Sequence, residues 1–328
     1  MLLLLGAGLA SRIRLTAFSE AVPDLPPGWH IALQAESADG LHFEVAAKPL
    51  ASPADTQHPG FDPSGRELLF YFDADSGELT MLDIANGRSH ALLMGRDCDP
   101  TVEPARHCVD PCWVPLADGS QRLYYVRTPD QGDPALALAP TEIHSARSVD
   151  GQIWEREPGV RLVGRGIVDP DVVPLEGGGF RMYYTTLPSG PDPHHAGPPG
   201  VYSALSTDGL RFESEPGQRL LDASATATVT LPGGGFRTYY HSFEPGLRSA
   251  HSSDGLVFEP DPGLRIPPDP LPGHRWLAPE APALLRRPNG SLWMVFSATP
   301  EPLFPLNLLA AVRHAGHDRG RPLLIDQP

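Results

Sequence analysis

Short apolar runs alternate along the chain with clusters of glycine, proline and polar residues, and no long segment keeps the 3.6-residue period of a helix. Five runs share one design, an apolar stretch built around aromatics: LLFYFD, RLYYVR, RMYYTT, RTYYHS and LWMVFS. Their central pairs are Phe70-Tyr71, Tyr124-Tyr125, Tyr183-Tyr184, Tyr239-Tyr240 and Val295-Phe296, at steps of 54, 59, 56 and 56 residues. A near-constant period of this size marks a repeat architecture. Two copies are close enough to read side by side, VDPCWVPLADGSQRLYYVR from Val109 and VDPDVVPLEGGGFRMYYTT from Val168. Each holds an Asp-Pro strand, a glycine turn and an aromatic strand. The 39 prolines and 33 glycines spread between the runs suit many strands and turns. The pattern predicts an all-β fold.

A second motif lies between the aromatic strands. It reads SADGLHFE at Ser37, SVDGQIWE at Ser148, STDGLRFE at Ser206 and SSDGLVFE at Ser252, with a degenerate copy, DIANGRSHALL, at Asp83. Asp-Gly and Asn-Gly supply the positive φ of a tight two-residue turn, so each motif is read as a β-hairpin held by its Ser and Asp side chains. That role is turn-stabilising, not catalytic. One strand pair and one hairpin make the four strands of a propeller blade. Five such units predict a five-bladed β-propeller. The hairpin near Asp39 precedes the first strand pair, and the last pair, near Phe296, has none after it. The N-terminal hairpin is therefore expected to complete the last blade and close the ring. The propeller is assigned to residues 29–316, between a leader, 1–28, and a tail, 317–328. The apolar run LNLLAAVRH, Leu306 to His314, is either an extra strand of the closing blade or part of a sixth.

In a propeller the innermost strands surround the axis, so residues at their heads gather at one mouth. Aligned on the aromatics, Asp110 and Asp169 take the same place in blades two and three. Blade four has Ala225 there, with Asp222 upstream. Blade five brings Glu280, and blade one Asp55, within one residue of the place, with His58 close by. Clustered carboxylates shift one another's ionisation, so that one can act as an acid and another as a base. Glycoside hydrolysis needs such a pair. A repeated Asp-Pro also has an architectural reading, as a turn cap at the start of a strand. Around the acids, His241, Ser242 and Arg127 end second strands, and Trp113 and Trp276 offer either a face for a sugar ring or packing in the core.

Composition narrows the partners. A formal charge of -15 repels phosphate backbones and disfavours nucleic acid. Lys48 is the single lysine, which disfavours Schiff-base chemistry. The opening MLLLLGAGLASR is too short to span a bilayer, which takes roughly 20 residues. It suits the apolar core of a signal peptide cut near Ala10 but lacks the usual basic start, so secreted or periplasmic and cytoplasmic locations both stay open. No other segment reads as a membrane span. Cys98, Cys108 and Cys112, beside His107, read as a metal site, as one disulfide with a free thiol, or as three thiols; their spacing matches no common zinc motif. The loop Pro188 to Gly200, with His194 and His195, is long enough to fold over the mouth. Oligomeric state is not legible in these patterns.

DPDVVPLEGGGFRMYYTT and PEAPALLRRPNGSLWMVFS resemble segments of the five-bladed propeller glycosidases, the arabinanases, β-xylosidases and invertases. The chain looks most like glycoside hydrolase family 43, over about residues 30 to 315. The resemblance implies a glycan or oligosaccharide as partner, no organic cofactor, and Glu280 as general acid. Counting blades as that family spaces its acids puts the base at Asp110 and a pKa-tuning acid in blade four, where this chain has Ala225. Asp169 then lies in a blade where the family needs none, as a further candidate base or tuner. Asp55, His58, Trp113, Arg127, Asp222, His241 and Trp276 are the implied substrate contacts. Two other readings stand beside this one. Ala225 favours a propeller that binds carbohydrate or protein without cleaving it. The clustered acids also admit a lactonase-type hydrolase with an axial divalent cation. A sialidase fits less well, since its Asp box has one more residue between Asp and Gly and no arginine triad is identified.

Overall fold

The computed structural model describes residues 30–300 apart from 53, 74–75, 93–105, 130–139, 187–199, 243 and 272–275. The leader, the tail, Cys98, LNLLAAVRH, His194 and His195 lie outside the described residues. Among the described residues there are strands and no helix, so none that could cross a membrane.

Each sheet is one antiparallel blade, and the first two described strands belong to the last of them, β1 (Ile31–Ser37) and β2 (Glu44–Val45). Blade one is β3 (Asp55–Phe61), β4 (Glu67–Asp73), β5 (Glu78–Asp83) and β6 (Arg88–Ala91). Blade two is β7 (Arg106–Pro115), β8 (Gln121–Pro129), β9 (Thr141–Ser148) and β10 (Glu155–Arg156), with β11 (Leu162–Gly164) also on β9. Blade three repeats this as β12 (Ile167–Pro174), β13 (Phe180–Thr186), β14 (Gly200–Ser206) and β15 (Glu213–Ser214), with β16 (Leu220–Leu221) on β14. Blade four is β17 (Ala223–Thr230), β18 (Phe236–Ser242), β19 (Leu247–Ser252) and β20 (Glu259–Pro260). Blade five runs in the order β21 (Trp276–Arg286), β22 (Leu292–Pro300), β1, β2. Its β1 pairs with β22 from Ile31 opposite Ala298 to Ser37 opposite Leu292. The N-terminal hairpin thus closes a five-bladed propeller, as the order of motifs implies.

The paired aromatics follow from this stacking. A second strand is covered on both faces by neighbouring blades, so adjacent residues of opposite orientation are both apolar. Tyr125 joins Phe70 and Trp113 between blades one and two, while Tyr124 joins Val172 and Met182 between blades two and three. Tyr183 and Tyr240 share the next interface, Tyr239 packs with Phe296 and Met294 of blade five, and Tyr71 with Trp293 and Val295 closes the ring.

The first tyrosine of three pairs also locks the following blade. Tyr124, Tyr183 and Tyr239 donate to the carbonyls of Gly209, Gly255 and Gly40, each at 2.9 Å, inside the next blade's Ser-x-Asp-Gly motif. Arg122 and Arg181, two residues earlier, reach the adjoining carbonyls of Asp208 and Asp254 at 3.1 and 2.7 Å. Both are held by acids of their own blade, Glu157 and Glu215, and Arg237 is held by Asp261. These acids head a motif that the sequence reading passed over, acid-Pro-Gly-x-Arg, as EPGVR at 157–161, EPGQR at 215–219 and DPGLR at 261–265. Ser145, Ser203 and Ser249 donate to the same three acids.

The Ser-x-Asp-Gly motifs are turn clamps. Ser206 Oγ accepts the Gly209 N–H at 2.9 Å and Asp208 Oδ1 the Leu210 N–H at 2.8 Å, and the other three copies match. The expected two-residue turn is corrected here. β1 ends at Ser37 and β2 starts only at Glu44, because the side-chain bonds sustain a wider loop. The degenerate copy is tighter, passing from Asp83 to Arg88 through Asn86-Gly87.

Removing one partner of the half-buried Arg181–Glu215 pair leaves an unpaired charge between blades. Glu215→Ala is expected to cost roughly 3 kcal/mol in urea unfolding. Glu244→Ala, which breaks an exposed pair with Arg248, is expected to cost less than about 1 kcal/mol. Equal effects would show that the acid-Pro-Gly-x-Arg motif is not an inter-blade brace.

Candidate active site

Every inner strand carries the same irregularity at its head. Register shifts fall between Asp55 and His58, Val109 and Cys112, Val168 and Asp171, Ser224 and Ala227, and Glu280 and Ala283, each setting two residues against one. The first bulged residue is left-handed in all five: Thr56 (φ 44°), Asp110 (53°), Asp169 (53°), Ala225 (47°) and Ala281 (47°). None is glycine, and such a backbone costs a side-chain-bearing residue roughly 1–2 kcal/mol. Strain of this kind collects at functional sites.

The left-handed turn points four of the five N–H groups at the preceding blade, while the Thr56 N–H donates within blade one to Asp55 Oδ1 at 2.8 Å. Asp110 N–H donates to Thr56 Oγ1 and Asp169 N–H to Asp110 Oδ2, both at 3.2 Å. Ala225 N–H donates to Thr185 Oγ1 at 3.0 Å and Ala281 N–H to His241 Nδ1 at 3.4 Å. At the fifth junction Gln57 takes over, donating to Ala281 O at 2.8 Å and accepting from Ser297 Oγ at 2.7 Å. The aligned position is therefore Thr56 in blade one and Ala281 in blade five, and Asp55 and Glu280 stand one residue before it.

An open pocket lies on the axis, lined by Thr56, Asp110, Asp169, Asp171 and Thr226 among others, with an inner volume of about 40 Å³. Burial, then the neighbouring charges of Asp169 and Asp55, push the Asp110 carboxyl well above its ordinary range. Burial raises Asp169 to about 6 against the opposing bonds from Thr185 and the Ala225 N–H, and raises Asp171 to about 6 against Thr228 and Thr226. Glu280 is raised by enclosure first, lowered by His30, and raised by Asp55 and Asp169. Four acids from blades one, two, three and five therefore act on one another at one mouth.

His30, just before β1, bridges two of them. Its Nδ1 lies 2.8 Å from Asp55 Oδ1 and its Nε2 3.3 Å from Glu280 Oε1. Burial would lower the ring's pKa, but the Asp55 hydrogen bond and the charges of Asp55 and Glu280 raise it to about 9. Asp55 and Glu280 keep 37% and 34% of their side chains open to solvent, whereas Asp110 is 8% exposed as a residue.

The other anticipated contacts divide. His58 lines the cavity with Nδ1–H donating to Pro59 O at 2.6 Å, and burial lowers its pKa to about 4. Burial also lowers His241 to about 4; since its Nδ1 accepts, its Nε2–H donates to Ser224 Oγ at 2.8 Å. Arg127 is off the cavity, 3.6 Å from Glu142, which also holds His144. Of the two readings open for Trp113 and Trp276, their burial, 6% and 5% exposed, agrees with packing in the core. Trp113 packs edge-on to Phe61, and Trp276 lies in the layer between blades four and five. Asp222 is exposed and left-handed (φ 51°) in the turn before β17, the place Gly166 takes before β12. Cys108 is disulfide-bonded and Cys112 is a buried thiol accepting the Val172 N–H, in line with the reading of one disulfide and a free thiol. Among the described residues no three His, Cys, Asp or Glu groups converge closely enough to hold a metal ion.

The sequence reading missed His30, Gln57, Asp171 and Thr185. Asp171 stands in plain view in Asp-Pro-Asp, two residues past Asp169. His30 belongs to no repeat and carries no local signal.

Asp171 generates a prediction about stability. Its folded pKa of about 6 exceeds the unfolded value, so it contributes most below pH 4, and that contribution is lost as pH rises towards 6. The whole effect amounts to roughly 3 kcal/mol at most. Asp171→Asn is expected to flatten the fall in urea midpoint between pH 4 and 7 relative to the unsubstituted chain. Parallel curves would show that the Asp171 carboxylate is not desolvated.

Neither a protein-family model nor a curated protein matches the chain. Solved structures do. A thermostable family-43 glycoside hydrolase aligns over 75% of this chain and 88% of its own at 14% identity, TM-score 0.55. The RS223 β-xylosidase aligns over 75% and 91% at 12% identity, TM-score 0.52. A family-43 β-xylosidase/α-arabinofuranosidase from a compost microbial metagenome, solved with xylotriose, aligns over 80% and 89% at 15% identity, TM-score 0.51. The chain spans only 50% and 59% of the length of matching structures from Parabacteroides distasonis and Bacteroides ovatus. At these identities the likeness is one of fold: the chain is a five-bladed β-propeller of the kind shared by family-43 glycosidases.

Proposed function

We propose that the protein is a glycoside hydrolase working at the axial mouth, with Glu280 as general acid and Asp55 as the carboxylate that faces it. The observation that carries this reading is the Asp55–His30–Glu280 bridge. It holds two acids from different blades together at the mouth while each remains partly open to a ligand. A general acid must keep its proton near neutral pH, and the enclosure of Glu280 raises its pKa in that direction. Glu280 then protonates the glycosidic oxygen, and Asp55 attacks the sugar directly or activates water. Asp110 fits the base role poorly, since it is enclosed, favours its protonated form and is engaged by the Asp169 N–H. Asp110 and Asp169 act instead by holding the bulges and by their field on the mouth. The fold shared with xylosidases supports a glycan substrate by analogy.

One observation favours a second reading, a propeller that binds glycan without cleaving it. Two of the five bulge positions are alanine, and an acid nearby is tied into the ring of hydrogen bonds.

A panel of nitrophenyl glycosides tests both. The native chain should hydrolyse at least one, and Glu280→Gln should lose on the order of 10²–10⁴-fold in kcat with an unchanged melting temperature. Equal rates would remove Glu280 as the acid. No hydrolysis by either, with oligosaccharides still raising the melting temperature, would favour the binding reading.

A further inference from the structure

We infer that His30 is the positioning residue of this site: it joins Asp55 and Glu280 across the seam where the two ends of the propeller meet, fixing their separation and balancing their charge. The inference rests on the glycosidase reading for its catalytic consequence, but the bridge itself is a property of the fold.

Three elements meet at His30. It directly precedes β1, the third strand of blade five, and Ile31 pairs with Ala298 on β22. That strand in turn pairs with β21, where Glu280 lies opposite Ser297. The ring is therefore carried by the blade that holds Glu280. Its backbone turns the other way, since His30 O accepts the Ala54 N–H at 3.1 Å, one residue before Asp55 of blade one. Side chain and main chain both tie the two blades where the repeated bulge contact gives way to Gln57.

An imidazole suits this place for a geometric reason. Its two nitrogens point apart, so one ring donates to carboxylates on two strands. An amide or ammonium on a flexible stem holds neither carboxylate in a fixed plane. The charged groups facing the ring are Asp55 and Glu280, and Asp169 acts in turn on Glu280. His30 is the cation that opposes them at Glu280. When Glu280 gives its proton to the leaving oxygen it becomes a carboxylate, and the adjacent imidazolium stabilises that charge. His30 forms no bond to substrate and transfers no proton in this scheme.

The test uses the full chain carrying His30→Gln or His30→Ala. For His30→Ala, kcat is expected to fall about 100-fold, the scale of a misplaced catalytic group, with KM within about threefold. In both variants the basic limb of the pH profile, set by the Glu280 proton, should move to higher pH, because the cation that lowers the Glu280 pKa is gone. A limb that stays in place while only the melting temperature falls would overturn the inference in favour of a merely structural histidine. A second readout needs no activity. With ¹³C-labelled glutamate, the Glu280 carboxyl resonance, assigned by its loss in Glu280→Gln, should titrate at higher pH in His30→Gln than in the native chain. An unchanged midpoint overturns the inference whether or not any glycoside is cleaved. A raised midpoint in a chain that hydrolyses nothing supports the bridge and overturns only the glycosidase reading. Should His30→Ala fail to fold, His30→Gln carries both measurements.

Discussion

An inner strand that slips register against its own neighbour leaves a backbone N–H with no ladder partner, and in blades two to five of this propeller that N–H points at the blade before it. A buried N–H must be bonded, so each of these blades is complete only when the preceding one supplies an acceptor. Thr56 and Asp110 supply it from the bulge itself. Where the bulge residue is alanine the acceptor comes from elsewhere, and Ala281 N–H turns to His241 on the second strand of blade four. The aspartate at the head of the repeat is thus an acceptor for the next blade before it is anything else. Placing that acceptor at the axis also gathers carboxylates around a cavity. Architecture and candidate chemistry come from one backbone conformation.

The same residue type behaves in opposite ways at the two ends of a repeat. Asp150, Asp208 and Asp254 sit in solvent-exposed turns and accept several N–H bonds, and those bonds hold their carboxyls below the ordinary range. Asp169 and Asp171 also have hydrogen-bonding neighbours, yet both rise to about 6. Desolvation decides the difference. At a turn, water still solvates the charge and each bond favours the anion. In the axial cavity the lost solvation outweighs the bonds, and neighbouring carboxylates add to the shift at Asp110. The number of hydrogen bonds alone would rank these acids wrongly.

Much of the fold was legible because a propeller repeats local chemistry. The aromatic pairs, the Ser-x-Asp-Gly clamps and their order along the chain led to five blades closed by the N-terminal hairpin, which is the topology found. The mouth was legible because the same bulge recurs in every blade: aligning on the aromatics sets Thr56 and Ala281 level with Asp110, Asp169 and Ala225, and Asp55 and Glu280 one residue before them. Trp113 and Trp276 kept two readings because strand alternation sends some inner-strand side chains into the layer between blades, and sequence alone did not show which. His30 was out of reach for another reason. Its partners lie 25 and 250 residues away, and only ring closure brings all three together.

That closure is also where the repeat is least regular. Blades two, three and four use an Arg-x-Tyr second strand to grip the next blade, but Leu68 and Phe70 replace it in blade one, and Trp293 and Val295 in blade five. At the seam between blades five and one Arg287 does the work instead, bonding Glu36 at 2.9 Å and Glu67 at 2.7 Å while lying 4.8 Å over the Trp293 ring. On the mouth side of the same seam the bulge contact is replaced by Gln57 and Ser297. Asp55 and Glu280 stand one residue before the bulge, where blades two, three and four carry Val109, Val168 and Ser224. At this junction they stay partly open to solvent, and a histidine from outside the repeat bridges them. The site forms at the junction that the repeat does not complete.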